Sequence, residues 1–159
     1  MALTLRPSEV GDVDQIVALA LRAWEPVHAS MARVLGARVN SLVYPDWAAS
    51  QEDDVRRACS DPDRRVTVAV DGNTVLGFAT VVVHGKQFGE VDMIAVDPPA
   101  QGRGVARALM DHALTQIREA GCSLAVVATG GDPGHAPARA LYEATGFTAL
   151  PLVRYYREP

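Results

Sequence analysis

The chain predicts an α+β (mixed α/β) fold, one sheet with helices on both of its faces. Three observations carry this expectation. Between residues 65 and 96 lie three strongly β-branched runs separated only by short turns, the pattern of an antiparallel meander. The stretch before them places apolar residues at helical spacing. After them a strand, a Gly-x-Gly loop and an amphipathic helix follow in direct succession, and a further strand and helix repeat that order.

Taken in order, Leu3 to Arg6 reads as a short strand ended by Pro7 and Ser8. Val13, Ile16, Val17, Ala20, Leu21 and Trp24 recur on one face, predicting an amphipathic first helix that Pro26 interrupts. A second helix is expected from Val27 to about Leu42. Tyr44-Pro45-Asp46 is a turn or cap, and Trp47 to Cys59 is a third helical segment. Asp61-Pro62-Asp63 closes this helical part. Arg65 to Val70 and Thr74 to His84 flank the turn Asp71-Gly72-Asn73 as a hairpin, and Gly85-Lys86-Gln87 turns the chain into the strand Phe88 to Val96.

Gly102 to Ala120 is the clearest helix, with Ala106, Leu109, Met110, Ala113, Leu114 and Ile117 in one stripe and Gly121 past its end. Ser123 to Ala128 suits a buried strand, Thr129 to Gly134 a glycine-rich loop, and Ala136 to Thr145 a short helix stopped by Gly146. Phe147 to Leu150 and Leu152 to Tyr156 are expected to be the last strands, broken by Pro151. Repeats, low-complexity tracts and linkers are missing from the sequence, so residues 1–159 read as one domain.

Composition narrows the function classes. A net charge of −4 argues against a nucleic-acid partner and is compatible with a cationic acceptor. The apolar runs Val66 to Val70 and Val75 to Val83 are too short to span a bilayer, and no membrane association is expected. The segment from Met1 to Pro7 lacks a basic start and a long apolar stretch, so a cytoplasmic location is the default expectation. His28, His84, His112 and His135 share no metal-ligand spacing. Cys59 and Cys122 have no CxxC spacing and read as small buried hydrophobes.

The most informative run is residues 90 to 109, where an acidic strand passes through Asp97-Pro98-Pro99 into a helix by way of Gly102 and Gly104. Glycines let the backbone approach an anion, and the first helical turn offers unpaired N–H groups together with the positive end of the macrodipole. The loop therefore suits a phosphate or pyrophosphate. Even spacing places Glu90, Asp92, Ile94 and Val96 on one strand face. Two carboxylates so placed attract an ammonium group and raise each other's pKa, the environment of a general base.

The pattern Gln101-x-x-Gly104-x-Ala106 after this strand resembles the acetyl-coenzyme A loop of the GNAT superfamily of N-acetyltransferases. A second match is His135-Ala136-Pro137-Ala138-Arg139-Ala140-Leu141-Tyr142-Glu143-Ala144-Thr145-Gly146-Phe147. The family commonly shows Asn-x-x-Ala-x-x-Leu-Tyr-x-x-x-Gly-Phe there, and His135 departs from its asparagine. The resemblance covers Leu3 to Tyr156 and implies a central, mostly antiparallel mixed sheet. It implies that the backbone of Ile94, Ala95 and Val96 pairs with the pantetheine arm. The loop of Gln101, Gly102, Arg103, Gly104, Val105, Ala106 and Arg107 would then cradle the pyrophosphate. Tyr142 takes the position that protonates the departing thiolate, Glu90 that of the general base, and Asp92 is the reserve.

The implied activity is transfer of an acetyl group from acetyl-coenzyme A, as co-substrate and without a metal, to a primary amine by direct attack in a ternary complex. The alternative is a non-catalytic acyl-coenzyme A binding or sensing domain. A dinucleotide enzyme fits poorly, because Arg107 stands where a third glycine would be. The acceptor, a small molecule or a peptide amine, is left open. An aromatic and acidic group, Trp24, Glu25, His28, Tyr44, Asp46 and Trp47, lies in the region expected to hold it, although each of these residues reads first as structural, Trp24 as part of its helix's apolar stripe. Oligomeric state is also open, a homodimer paired through the apolar C-terminal strand being one option.

Overall fold

The computed structural model describes residues 2–159. Its five strands, β1 (Thr4–Pro7), β2 (Arg64–Asp71), β3 (Thr74–His84), β4 (Phe88–Val96) and β5 (Leu124–Val127), form one sheet in sequence order. Neighbours from β1 to β4 are antiparallel, whereas β5 runs parallel to β4. A parallel neighbour needs a crossover, which helix α3 (Val105–Glu119) provides. The other helices are α1 (Val13–Val43), α2 (Trp47–Ser60) and α4 (Ala136–Ala144).

Strand alternation divides the core between the two sheet faces. Phe78, Val68 and Val70 pack under Ile16, Leu19 and Ala20 of α1, with the Trp24 ring edge-on to Phe78 at 6.2 Å. On the other face Ala79, Val81 and Val91 meet Leu109, Met110, Ala113 and Ile117 of α3. The apolar stripe read from residues 106–117 thus faces the sheet. Val55 of α2 joins the α1 side, and Cys59 packs at its margin. Cys122 caps the end of α3, its thiol directed at the Gly85 carbonyl oxygen at 3.6 Å, and both cysteines are free.

Three details depart from the sequence reading. Helix α1 does not stop at Pro26 but continues through it, and its non-helical break lies at Gly36, with φ of 76°. A proline removes one helical hydrogen bond, but buried residues on both sides of it, Ala20 and Ser30, hold the axis together. Glycine alone takes the left-handed φ cheaply, so the chain turns there instead. Second, Glu90, Asp92, Ile94 and Val96 do not share one face. Thr80 pairs with Met93 and Val81 with Val91, leaving Asp92 as a bulge. After the bulge Ile94 and Val96 point to the α3 side, whereas Met93 and Ala95 join the α1 side.

Third, residues 147–159 form no strand. Leu150, Leu152, Val153 and Tyr155 are each more than three-quarters exposed. Their β-branched and aromatic content raises strand propensity, yet a strand needs a partner. Pro151 removes a donor from the middle of the segment, and β5 offers only four residues. The tail is tethered instead by Arg38 to Glu158 at 2.8 Å. Among the described residues no helix is long and apolar enough to cross a membrane.

Gly77 is a tight point between the sheet and α3. A Cβ there would lie 2.8 Å from the Ala95 carbonyl oxygen, 3.1 Å from Val96 Cγ2 and 3.2 Å from Leu109 Cδ1. A backbone oxygen in a central strand cannot swing aside. Gly77→Ala is therefore expected to lower unfolding free energy by about 1–3 kcal/mol, read as a fall in the urea midpoint at unchanged slope.

Candidate active site

The site begins where β4 and β5 part. Their pairing runs from Phe88 with Leu124 only as far as Val91 with Val127. From Asp92 to Val96 the β5 side of β4 has no strand beside it, so its backbone groups border an open cleft. The cleft has a volume of about 650 Å³. Its floor includes Ile94, Ala95 and Val96. Trp24, Pro26 and Val27 of α1 close one side, and Ala138, Leu141 and Tyr142 of α4 close the other.

The N-terminus of α3 opens into the same cleft. Gly102 and Gly104 have φ of 74° and 81°, and Gly104 is the N-cap, with no side chain bonded to the first turn. A Cβ at either glycine would meet only open space, so there is room for an anion against the N–H groups of Val105, Ala106 and Arg107. Gln101 points elsewhere: its Nε2 donates to the Val96 carbonyl at 3.1 Å and fixes the loop to the strand end. Arg107 lines the cleft but is bound to Asp111 at 3.0 Å and to the Ala144 carbonyl at 3.2 Å. Arg103 is exposed and does not line the cleft. Asp97, at the loop's entry, receives two hydrogen bonds of 2.9 Å from Arg22 of α1.

Tyr142 stands on the cleft side of α4, with Phe147 edge-on at 6.0 Å. Burial pushes its phenol pKa above the ordinary value, so it carries its proton throughout the neutral range. Asp92 borders the cleft, its carboxylate held by Arg64 and by the buried Thr80 hydroxyl. Glu90 lies farther down β4, outside the cleft lining, with its carboxylate 3.4 Å from His84 Nε2. Among the described residues no cluster of three metal-binding side chains is present.

Part of the expected acceptor region also assembles. Glu25, His28, Tyr44 and Trp47 line a smaller hollow of about 270 Å³ on the same turns of α1 that border the cleft. His28 stacks on Trp47 at 4.4 Å, and burial pushes its pKa down. Trp24 belongs to the cleft wall instead, and Asp46 caps α2 by accepting from the Ala49 N–H at 3.0 Å.

One arrangement is not evident in the sequence, in which His135 stands out only as the residue in place of the family's asparagine. Its side chain makes no capping bond, lines the cleft, and pairs through Nδ1 with Asp132. Asp132 also accepts from Ser30 Oγ at 2.7 Å and from the Gly134 N–H at 3.1 Å. Burial alone would raise the Asp132 pKa, but the bonds from Ser30 and His135 outweigh it and leave the carboxyl below its ordinary value. The available signal was Asp132 three residues before His135 across a Pro-Gly turn. Ser30, 102 positions earlier, gave none.

The fold has counterparts among known proteins. The acetyltransferase (GNAT) family model matches residues 28–147. A mycothiol acetyltransferase of Thermomonospora curvata is 30% identical over the full chain, and one of Beutenbergia cavernae is 35% identical over 73% of it. The chain spans about half the length of these relatives, 54% and 40% respectively. Among solved structures, the aminoglycoside acetyltransferase AAC(6')-Iy, bound to a coenzyme A bisubstrate analogue, superposes with a TM-score of 0.68 at 18% identity, covering 100% of this chain and 99% of that one. The PaiA N-acetyltransferase of Thermoplasma acidophilum with coenzyme A gives 0.63 at 16% identity, covering 93% of this chain and 91% of that one. The chain belongs to the acetyltransferase (GNAT) family, a family of acetyl-coenzyme A-dependent N-acetyltransferases.

A Cβ at Gly130 would fall 2.5 Å from His135 Nδ1 and 2.6 Å from Asp132 Oδ1. Gly130→Ala should therefore disturb the Asp132–His135 contact while leaving the fold intact. The expected result is a displaced His135 imidazole ¹⁵N signal with unchanged far-ultraviolet circular dichroism.

Proposed function

We propose that this domain transfers the acetyl group of acetyl-coenzyme A to a primary amine by direct attack in a ternary complex. The single observation that carries the reading is the open β4 edge, which leads from the α3 N-terminus to Tyr142 within one cleft. An extended amide-bearing arm adds to such an edge as a peptide strand does. In this reading the backbone of Ile94, Ala95 and Val96 binds the pantetheine. The N–H groups of Val105, Ala106 and Arg107 meet the pyrophosphate, with Gly102 and Gly104 keeping the approach clear. Gln101 braces the loop, and Arg103 adds positive charge at its solvent side.

The amine enters from the α1 side, where Asp92 borders the cleft and Glu90, the other candidate base, lies beyond its lining. Attack forms the C–N bond and expels the thiolate, which takes the Tyr142 proton. A neutral phenol held by burial suits that donation. The relatives' name puts mycothiol-related amines first among acceptors to try, and aminoglycosides such as neamine second.

Coenzyme A release with this amine panel tests the reading. Binding of acetyl-coenzyme A with no turnover on any amine would favour the sensing domain instead. Gly104→Asp places a carboxylate against the pyrophosphate position and should weaken acetyl-coenzyme A affinity at least about tenfold by calorimetry, about 1.4 kcal/mol. Tyr142→Phe should keep that affinity and lower kcat by about 10- to 100-fold. An unchanged kcat where chemistry limits the rate would make Tyr142 a packing residue.

A further inference from the structure

We propose that His135, oriented by Asp132, is the group that takes the proton from the acceptor amine; this rests on the acetyl-transfer reading above. Its Nδ1 faces the Asp132 carboxylate, which fixes the tautomer with the proton on Nδ1 and leaves the Nε2 lone pair free. The imidazole borders the same cleft as Tyr142. Seven positions separate the two along the start of α4, about two turns or roughly 10 Å. That span accommodates a thioester carbonyl and an amine nitrogen between a base and an acid.

The dyad is built with more constraint than a helix start requires. The Ser30 hydroxyl, 2% exposed on α1, donates to Asp132 and in turn accepts the Gly134 N–H at 2.9 Å. Arg139 clamps the loop from below, donating to the Gly130 and Asp132 carbonyls at 2.6 and 2.9 Å. A Cβ at Gly130 would strike the imidazole, and one at Gly134 would lie 2.5 Å from Ser30 Cβ, so a larger residue at either position would displace a member of the network. A carboxylate left 11% exposed with three donors arranged around it holds its partner imidazole in one orientation.

The charged and titratable groups around His135 fit the role. Asp132 stabilises the imidazolium once the proton arrives. Arg139 is spent on backbone carbonyls. From α1, His28 is kept uncharged by burial, and Tyr44, near Asp132, keeps its proton for the same reason. The carboxylates of β4 are less available: Asp92 is held by Arg64 and Thr80, and Glu90 lies outside the cleft lining.

The steps balance. The acceptor arrives as an ammonium ion and gives one proton to His135 Nε2. The freed lone pair forms the C–N bond, and the C–S bond breaks with its electrons on sulfur. Tyr142 protonates the sulfur, and the second proton leaves the amide nitrogen to restore the phenol. His135 returns its proton to solvent.

The test is the pH dependence of kcat and kcat/KM with the best amine of the panel, for wild type and for His135→Gln, Asp132→Asn and Glu90→Gln. His135→Gln should lose about 100-fold or more in kcat near neutral pH, keep its acetyl-coenzyme A affinity, and recover as pH rises. It should also recover with a low-pKa amine that arrives already neutral. Asp132→Asn should show a smaller loss with the same recovery. If His135→Gln misfolds, His135→Asn is measured in its place. A wild-type rate and profile in the His135 variants overturns the proposal, as does a loss confined to acetyl-coenzyme A affinity. A shift of the profile in Glu90→Gln alone assigns the base to Glu90. A wild-type protein that acetylates no amine sinks the acetyl-transfer reading and this proposal with it.

Discussion

The early parting of two parallel strands is the constraint on which the site depends. Had β5 followed β4 to Val96, ladder hydrogen bonds would fill the edge and no cleft would exist. Pairing stops at Val91 and Val127, next to the extra residue Asp92 in β4. A bulge twists and bends its strand, which carries the second half of β4 away from a straight neighbour. The bulge is pinned, because Asp92 is tied to Arg64 on β2 and Thr80 on β3. An ion pair at a strand irregularity thus contributes less by its net energy than by fixing where the sheet opens.

Helix α1 sets the width of the opening. Arg22 holds Asp97 on the loop that enters α3, and Ser30 holds Asp132 on the loop that enters α4. The two anchors are eight positions apart on one helix, roughly 12 Å. Both loops are therefore referenced to a single rod, Pro26 notwithstanding. This explains why a proline inside the helix is tolerated: it lies between the anchors, with Ala20 and Ser30 packed on either side.

Local signals were read correctly where period and turn chemistry were strong. The meander, the stripe on α3 and the Gly102–Gly104 entry all appear where β-branched alternation, helical spacing and positive φ predict them. Failures came where a local preference met a non-local fact. Pro26 broke the predicted helix but not the real one, because packing outweighed one lost hydrogen bond. Alternation puts Glu90, Asp92, Ile94 and Val96 on one face and cannot reveal the bulge at Asp92, which separates Ile94 and Val96 from the two carboxylates. The C-terminal segment has strand-like residues but no partner strand. In the cleft, Tyr142 and the α3 entry were legible from motif context, whereas the link from Ser30 to Asp132 spans 102 residues and left no trace in spacing.

Both cysteines stand apart from the lining of the cleft. Cys59 sits at the margin of the α1 core, where burial pushes its thiol pKa up, and Cys122 closes the far end of α3. A thioester is open to attack by any nearby thiolate, which would exchange the acyl group onto sulfur and strand it on the protein. With Cys59 kept protonated by burial and both thiols remote from the cleft, a thioester bound there would lie out of their reach.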